Sequence, residues 1–407
     1  MDELIKSGEM KLNWVKDHMP ILNLIEERFK SELPFKGLKI GVCIHLEAKT
    51  ARLCELLKVG GATVYLTGSN PLSTQDDVAA AVGKRGITVF AKHGCSEEEY
   101  LEFISKMINE RPNIILDDGG DTVNLIHEKY PQYLSDVLGG CEETTTGVLR
   151  LKAREREGKL KFPMILVNDA LTKYLFDNRY GTGQSVWTAI TNITNLIVAG
   201  KVIVVAGYGW CGKGVANRAK ALGGRVIITE IDSIKAIEAH MDGFEVMPME
   251  KACPLGDIFI TVTGCKEVIT KRHFDLLKNG AILCNAGHFN VEVDYNALEE
   301  YAISKKEVRN NIVEYLLPSG KRLNLLAEGR LVNLAGGDGH PAEIMDTSFA
   351  LQALCAEYIA KNKLEHKLYN VPYEIDLDVG KLKLKTLNID IDSLTPEQEE
   401  YLKAYNL

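Results

Sequence analysis

One glycine-rich turn constrains the fold of this chain more than any other stretch. Around it, KVIVVAGYGWCGKGVANRAKALGGRVIITE at 201–230 predicts a strand over 202–205, then a helix, then a second strand over 226–229. The turn has the spacing G-x-G-x-x-G, formed by Gly207, Gly209 and Gly212. Such a strand–turn–helix unit lets backbone N–H groups and a helix N-terminus approach a pyrophosphate. The sequence therefore predicts a Rossmann-type nucleotide-binding unit.

The acid that ends the second strand indicates which dinucleotide binds. Glu230 stands about 20 residues beyond the glycines, where a carboxylate binds the adenosine ribose hydroxyls. Ile231 and Asp232 follow it, with no arginine nearby for a 2′-phosphate, so NAD is favoured over NADP. A glycine turn without a ligand is one alternative. A phosphate-binding loop is excluded because Gly214 stands where that loop needs a hydroxyl.

Composition limits the other classes of protein. A chain of 407 residues predicts two domains, and its net charge of -8 argues against a nucleic-acid partner. The charged N-terminus does not resemble a signal peptide, and no apolar stretch is long enough to span a membrane. The nine cysteines contain no C-x-x-C pair, which predicts reduced thiols and no metal site. We therefore expect a cytoplasmic protein.

Strand-like runs alternate with helical stretches through the first half of the chain, which predicts an α/β fold with a doubly wound parallel sheet. The chain leaves this sheet near 181 and returns near 340, followed by a helix over 342–359. We expect a discontinuous substrate domain, an inserted NAD domain and a C-terminal tail that contacts a partner subunit or lies on the surface. Their predicted bounds are 1–181 with 340–370, 182–339, and 371–407. The predicted strands of the first sheet are 39–44, 63–66, 88–91, 113–116 and 164–167.

Several polar residues at the predicted strand ends could carry chemistry. Lys173 and Asp177 share a helical face, either as an exposed ion pair or as a proton-transfer pair in a cleft. Glu143 precedes three threonines, which predicts either a capped helix start or a carboxylate for sugar hydroxyls. Histidines in three separate polar turns indicate acid–base work; they are His45, His288 and His340.

Taken together, the motifs resemble the S-adenosyl-L-homocysteine hydrolase family over nearly the whole chain. The resemblance rests on SNPLSTQDD at 69–77, LDDGGD at 116–121, EETTTG at 142–147, KYLFDNRYG at 173–181, AGYGWCGKG at 206–214, CNAGHFN at 284–290 and LLAEGRLVNL at 325–334. It implies tightly held NAD, oxidation of the nucleoside at C3′, loss of homocysteine from C5′, addition of water and re-reduction. It also implies a homotetramer.

The resemblance also implies roles for individual residues. Catalytic roles fall on His45, Asp118, Glu143, Lys173, Asp177, Asn178 and His288. We predict further substrate contacts for Glu47, Lys49, Thr50, Ser73, Gln75, Asp338 and His340. Besides the three glycines and Glu230, the implied cofactor contacts are Thr144, Thr145, Thr146, Asn178, Asn285 and Asn333.

The chain departs from the family pattern at several positions. Thr182 replaces a frequent cysteine, and the chain ends at 407 without the extension of longer members, so we expect looser NAD retention. The family usually has Thr and Glu at the positions of Glu47 and Lys49, a pair that suits adenine. A carboxylate and a lysine instead match the N1–H donor and O6 acceptor of hypoxanthine. The alternatives are that Glu47 and Lys49 point to solvent or pair with each other, with Asp338 joining them.

We therefore expect S-inosyl-L-homocysteine as the preferred substrate, cleaved to inosine and homocysteine. The alternative within the family is S-adenosyl-L-homocysteine. Outside it, an NAD-dependent 2-hydroxyacid dehydrogenase would share the architecture but release NADH. A non-catalytic NAD-binding regulator would have no need of Lys173, Asp177, His45 and Asp118.

Overall fold

The computed structural model describes residues 2–404 and contains two β-sheets. In chain order, the strands within this range are β1 (Lys39–Cys43), β2 (Thr63–Thr67), β3 (Thr88–Phe90), β4 (Ile114–Asp117), β5 (Gly139–Glu142), β6 (Met164–Leu166), β7 (Val202–Ala206), β8 (Arg225–Thr229), β9 (Glu245–Val246), β10 (Ile258–Thr261), β11 (Ala281–Asn285), β12 (Ser304–Arg309), β13 (Ile312–Leu316), β14 (Arg322–Leu326) and β15 (Leu368–Asn370).

The first sheet is parallel throughout and has the order β15-β6-β5-β4-β1-β2-β3. Its apolar side chains pack on both faces, as the doubly wound arrangement requires. Register aligns Cys43 of β1 with Asp117 of β4, and Asp117 with Glu142 of β5. The polar residues that follow these strands therefore meet at one edge of the sheet.

The second sheet lies, in sequence, between β6 and β15 of the first, which confirms the predicted insertion. Its order is β12-β13-β14-β11-β10-β7-β8-β9, and it too has apolar residues packed on both faces. Strands β7 to β11 and β14 pair in parallel, whereas β12, β13 and β14 form an antiparallel meander that the sequence analysis missed. Every residue of β12 is exposed, so it lacks the apolar alternation that marks a strand.

Helices cover the two sheets. They are α1 (Asp2–Asp17), α2 (Pro20–Glu32), α3 (Ala48–Val59), α4 (Asp76–Lys84), α5 (Glu97–Asn109), α6 (Asp121–Lys129), α7 (Thr145–Arg156), α8 (Leu171–Lys173), α9 (Thr182–Thr194), α10 (Trp210–Ala221), α11 (Ser233–Met241), α12 (Met249–Ala252), α13 (Lys271–Phe274), α14 (Tyr295–Tyr301), α15 (Val332–Ala335), α16 (Ala342–Lys361), α17 (Tyr373–Thr386) and α18 (Pro396–Lys403). Between α8 and α9 the chain forms a π-helix, Tyr174–Gly181.

The C-terminal segment has two structurally different parts. The tail predicted to start at 371 begins with α17, which packs on its own chain through the fully buried Val379. Asp376 of the same helix accepts hydrogen bonds from the backbone N–H groups of Leu171 and Thr172 at 2.7 and 2.9 Å. In contrast, no residue of α18 is buried. The last three residues of the predicted tail, 405–407, lie outside the described residues.

Within residues 2–404, no helix combines the length and the apolar character that crossing a bilayer demands.

Candidate active site

A large cleft, with a volume of about 1310 Å³, lies where the carboxyl ends of the strands of both sheets face each other. It brings together most of the residues that the sequence analysis selected. From the first sheet and its crossings these are His45, Glu47, Lys49, Thr50, Asp118, Glu143, Thr144, Thr145, Thr146, Lys173, Asp177, Asn178, Asp338 and His340. From the second sheet they are Gly207, Gly209, Glu230, His288 and Asn333.

Four of the selected residues do not line the cleft, and each contacts a residue or a loop that does. Ser73 Oγ lies 2.7 Å from Nδ1 of His45, and Gln75 donates a 2.9 Å hydrogen bond to the Asp338 carboxylate. Asn285 is fully buried and donates to the carbonyls of Gly287 and Phe289, which flank His288. At Gly212 a Cβ atom would lie 2.0 Å from the Gly207 carbonyl oxygen, so helix and turn touch there.

A buried ion-pair cluster occupies the floor of the cleft. Lys173 Nζ lies 3.3 Å from Asp177 Oδ2 and 3.6 Å from Glu143 Oε1, and donates a 2.8 Å hydrogen bond to Asn178. Asp177 also contacts Nδ1 of His340. The π-helix that carries Asp177 and Asn178 is a conformation that occurs mostly as single turns, frequently at functional sites. The exposed ion pair considered from the sequence is therefore wrong, because all of these side chains except that of His340 are buried.

Burial and mutual charge together set the protonation states of the cluster. Burial opposes the charge of Lys173, but Asp177 and Glu143 outweigh it and raise the pKa of Lys173 above its ordinary value. Burial also opposes the charge of Asp177, yet Lys173 and His340 hold the pKa of that carboxyl well below its usual range. Burial raises the pKa of Glu143 to about 8, although Lys173 opposes this shift. These opposing shifts favour a charged Lys173 paired with a charged Asp177.

A second polar cluster joins the two sheets across the cleft. His45 follows β1, Asp118 follows β4 and His288 follows β11; the Asp118 carboxylate lies 3.5 Å from Nε2 of His45 and 3.8 Å from Nδ1 of His288. Burial lowers the pKa of His45 to about 4, against the opposing effect of Asp118. A neutral imidazole has one ring nitrogen that donates a hydrogen bond and one that accepts, so His45 can contact a donor and an acceptor at once. One nitrogen or oxygen atom from each of His45, Asp118 and His288 lies within 4.8 Å of the other two. This spacing could hold a metal ion, although the sequence predicts no metal site.

Glu47 and Lys49 form a third polar group, and both face the cleft rather than solvent. Glu47 is the N-cap of α3 in an extended conformation, and its carboxylate accepts the N–H groups of Lys49 and Thr50. Lys49 Nζ lies 2.5 Å from Glu47 Oε2 and donates a 2.7 Å hydrogen bond to the Asp338 carbonyl. Because Glu47 precedes the first helical residue, two side chains at i and i+2 can point the same way. The side chains of Glu47 and Lys49 are therefore both held in fixed positions at the cleft wall.

The opposite wall fits a dinucleotide. Gly207 has a φ of +102°, which a glycine adopts freely, and a Cβ atom at Gly209 would meet nothing within 4 Å. Glu230 accepts hydrogen bonds from three backbone N–H groups, so its carboxylate is fixed at the end of β8. Asn333 Oδ1 is buried at the cleft without a partner among the described residues. The open glycine turn and the oriented acid fit NAD, and Asn333 offers a buried acceptor at the same cleft.

Family models cover most of the chain. Residues 3–130 match "S-adenosyl-L-homocysteine hydrolase", and residues 178–339 match the NAD-binding domain of the same family. The chain belongs to the S-adenosyl-L-homocysteine hydrolase family. The predicted family and the predicted cofactor, NAD, are thus confirmed.

Relatives in this family resemble the chain over almost its full length. The S-inosyl-L-homocysteine hydrolase of Methanocaldococcus jannaschii is 60% identical over 99% of this chain and 97% of its own length. The adenosylhomocysteinase of Aquifex aeolicus is 55% identical over 99% of this chain and 97% of its own length. Among solved structures, a dipicolinate synthase chain from Bacillus halodurans has a TM-score of 0.51 and 14% identity, covering 81% of this chain and all of that one. That likeness concerns the fold alone.

Several residues to which the sequence analysis assigned no site role hold the predicted catalytic side chains in place. Ser348 donates a 2.7 Å hydrogen bond to Asp177, and Gln352 donates one of 2.5 Å to Glu143. Asn168 accepts from Asn178 at 3.1 Å. Ser348 and Gln352 are four residues apart in α16 and are buried among apolar residues, together with the polar Asp346, Thr347 and Glu357. That pattern, two polar residues on a buried helical face, is the signal that could have revealed them.

Replacing Glu230 by Gln should weaken NAD binding by ~10–100-fold, because hydrogen bonds to a charged group contribute about 1.5–3 kcal/mol. Titration calorimetry of NAD into cofactor-free protein measures the effect. Asp232→Asn is the matched control, since Asp232 caps α11 through Ile234 and Lys235 at the same sheet edge. Unchanged affinity in Glu230→Gln would contradict the ribose contact.

The two crossings between the sheets meet at one place, and this predicts a hinge. A Cβ atom at Gly181 would lie 2.8 Å from Nδ1 of His340, so the first crossing touches the end of the second. We expect the cleft to close around a bound nucleoside and exclude water. Small-angle scattering should then give a smaller radius of gyration with a nucleoside inhibitor than without. An identical radius in both samples would argue against closure.

Proposed function

We propose that the chain catalyses the NAD-dependent, reversible hydrolysis of S-inosyl-L-homocysteine to inosine and L-homocysteine. Membership of the family supports the reaction type, and the relatives named S-inosyl-L-homocysteine hydrolase support the substrate. The observation that carries the choice of substrate is the buried Glu47–Lys49 pair at the cleft wall.

This pair is complementary to the base of inosine. Hypoxanthine presents a donor, N1–H, beside an acceptor, O6. A carboxylate and an ammonium group 2.5 Å apart present an acceptor beside a donor. Backbone contacts hold both groups: Glu47 accepts two N–H groups at the start of α3, and Lys49 donates to Asp338. Adenine, with its acceptor at N1 and donor at N6, would face like groups at both positions in this arrangement.

The ion-pair cluster would serve the ribose hydroxyls. NAD supplies reversible hydride transfer at C3′. Lys173 takes the proton of the 3′-hydroxyl, Asp177 orients the ammonium group and Glu143 binds the 2′-hydroxyl. Lys173 can accept a proton only after losing one, and a positively charged nicotinamide ring held nearby would favour this loss. The resulting 3′-ketone makes the C4′ proton acidic.

The cluster of Asp118, His45 and His288 would serve C5′. Removal of the C4′ proton expels the homocysteine thiolate, which needs a proton as it leaves. Water then adds to the C4′=C5′ double bond that this elimination leaves: its oxygen bonds to C5′, one of its protons is removed, and a proton returns to C4′. His45 and Asp118, whose side chains lie 3.5 Å apart, would carry these proton transfers. Return of the hydride to C3′ restores the hydroxyl and the cofactor, so no net oxidation occurs.

The second candidate is hydrolysis of S-adenosyl-L-homocysteine to adenosine and L-homocysteine. It is favoured by relatives named adenosylhomocysteinase, at 55% identity in Aquifex aeolicus and 54% in Saccharolobus solfataricus. Both candidates use the same chemistry, so only the base distinguishes them.

The test compares kcat/KM of the same purified enzyme on the two thioethers. We expect the inosyl compound to be preferred by ~10⁴-fold, because a mismatched base leaves buried polar groups unpaired. Preference for the adenosyl compound would reject the substrate and keep the family reaction. Net release of NADH during turnover would instead indicate a dehydrogenase.

We also propose the domain bounds 1–181 with 340–370 and 182–339, a cytoplasmic location and a homotetramer. All nine cysteines are free, which supports a reducing compartment. Beyond α17 the chain exposes a run of aliphatic side chains that a neighbouring protomer could cover; they are Leu387, Ile389, Ile391 and Leu394.

A further inference from the structure

Glu142 is a buried carboxyl group that the proposed chemistry does not use. It ends β5, is fully inaccessible to solvent and does not line the cleft. Its Oε1 atom accepts two backbone hydrogen bonds, from Gly119 at 2.9 Å and from Thr144 at 3.0 Å. Its other oxygen has no partner among the described residues.

The two donors belong to different loops, and each follows a proposed reactive residue directly. Gly119 follows Asp118 after β4, and Thr144 follows Glu143 after β5. One oxygen atom therefore connects the loop that serves C5′ with the loop that serves the ribose hydroxyls. Asp117 adds a parallel link, because its carboxylate accepts the Asp118 N–H and its carbonyl accepts the Glu143 N–H.

The first turn of α7 leaves space for this side chain. A Cβ atom at Gly147 would lie 2.0 Å from Cδ of Glu142, so only glycine allows the carboxyl group to occupy its place. The glycine at position 147 is therefore the residue that the observed position of the Glu142 carboxyl group, between the two loops, requires.

We propose that Glu142 is a positioning residue for the hydrolysis. By joining Gly119 and Thr144, it sets the distance between Asp118 and Glu143, and hence between the proton-transfer groups at C5′ and those at the ribose hydroxyls. This inference rests on the proposed function.

The protonation state of Glu142 suggests a conservative replacement. Burial and the neighbouring Asp117 raise the pKa of Glu142 well above its ordinary value. The neutral acid is therefore favoured, and glutamine resembles it in shape and in its accepting oxygen. Methionine has a similar volume and accepts neither N–H group.

The test measures kcat/KM and unfolding midpoints of the holoenzymes Glu142→Gln and Glu142→Met. We expect Glu142→Met to lose ~10²-fold in kcat/KM, since misplacement of a reacting group by about 1 Å can cost that much. Glu142→Gln should have a kcat/KM within a few-fold of that of the unmodified enzyme. Its buried amide N–H₂ group has no acceptor, so its unfolding midpoint should be lower. Rescue of activity without rescue of stability separates positioning from a purely structural role.

Asp346 provides a matched control away from the cleft. It is also fully buried and also accepts two backbone N–H groups, those of Ile21 and Leu22. Asp346→Leu should lower the unfolding midpoint but leave kcat/KM of the folded enzyme near that of the unmodified chain. Equal activity of Glu142→Met and the unmodified enzyme, or equal losses in both Glu142 variants, would overturn the inference. Failure of the unmodified enzyme on both thioethers would instead reject the proposed function.

Discussion

The double variant Glu47→Thr with Lys49→Glu should shift the base preference toward adenine, moving the ratio of kcat/KM values toward the adenosyl thioether by ~10²–10⁴-fold. A threonine hydroxyl can donate to N1 of adenine, and a carboxylate can accept from its 6-amino group. Threonine is also a good N-cap, so α3 keeps a capping residue at its start. The comparison is made on both thioethers under identical conditions.

The chain contains a matched control for this double exchange. Glu157 and Lys159 have the same spacing and a 2.7 Å contact, but both are exposed on the surface. The double variant Glu157→Thr with Lys159→Glu should leave the preference unchanged. If the cleft variant is folded and its ratio of kcat/KM values on the two thioethers equals that of the unmodified enzyme, Glu47 and Lys49 do not recognise the base.

Replacing Lys173 by Met should lower turnover by ~10²–10⁴-fold, the range expected for loss of a general acid–base group. Binding of the thioether should survive better than turnover, because Glu143 and His340 remain in place. The enzyme should also fail to form bound NADH from the substrate, since C3′ oxidation needs the hydroxyl proton removed. Steady-state kinetics and the NADH absorbance band measure the two effects.

The control for Lys173 is Lys152→Met. Lys152 lies 3.1 Å from Asp169 in an exposed ion pair, so its removal takes away charge and contact without touching the cleft. We expect normal turnover from this variant. Near-normal turnover in Lys173→Met would refute the assignment of the proton acceptor.

Much of the site could be predicted because, in both sheets, polar residues directly follow strands that are rich in β-branched residues. β1, β4, β7 and β8 all occur within one residue of their predicted bounds, and His45, Asp118, Gly207 and Glu230 line the cleft beyond their ends. In a parallel sheet the carboxyl ends must share one edge, so order along the chain predicts closeness in space.

Other features could not be predicted, because they depend on contacts distant in sequence. β5 is Gly-Gly-Cys-Glu and has no β-branched residue, so only its pairing with β4 and β6 makes it a strand. The raised pKa of Lys173 depends on Glu143, thirty positions earlier, as well as on the nearby Asp177. Spacing within one segment cannot reveal such a charge.

The meeting of the two crossings at Gly181 and His340 has a mechanical consequence. Points near a rotation axis travel least, whereas points far from it sweep long arcs. Asp177 immediately precedes the first crossing, and it contacts His340 at the end of the second. This contact between Asp177 and His340 therefore lies near the pivot and would keep its geometry through opening and closing. Glu230 lies across the cleft, at the end of β8 in the second sheet and far from this pivot. It would therefore make the large movement that brings the dinucleotide to the sugar.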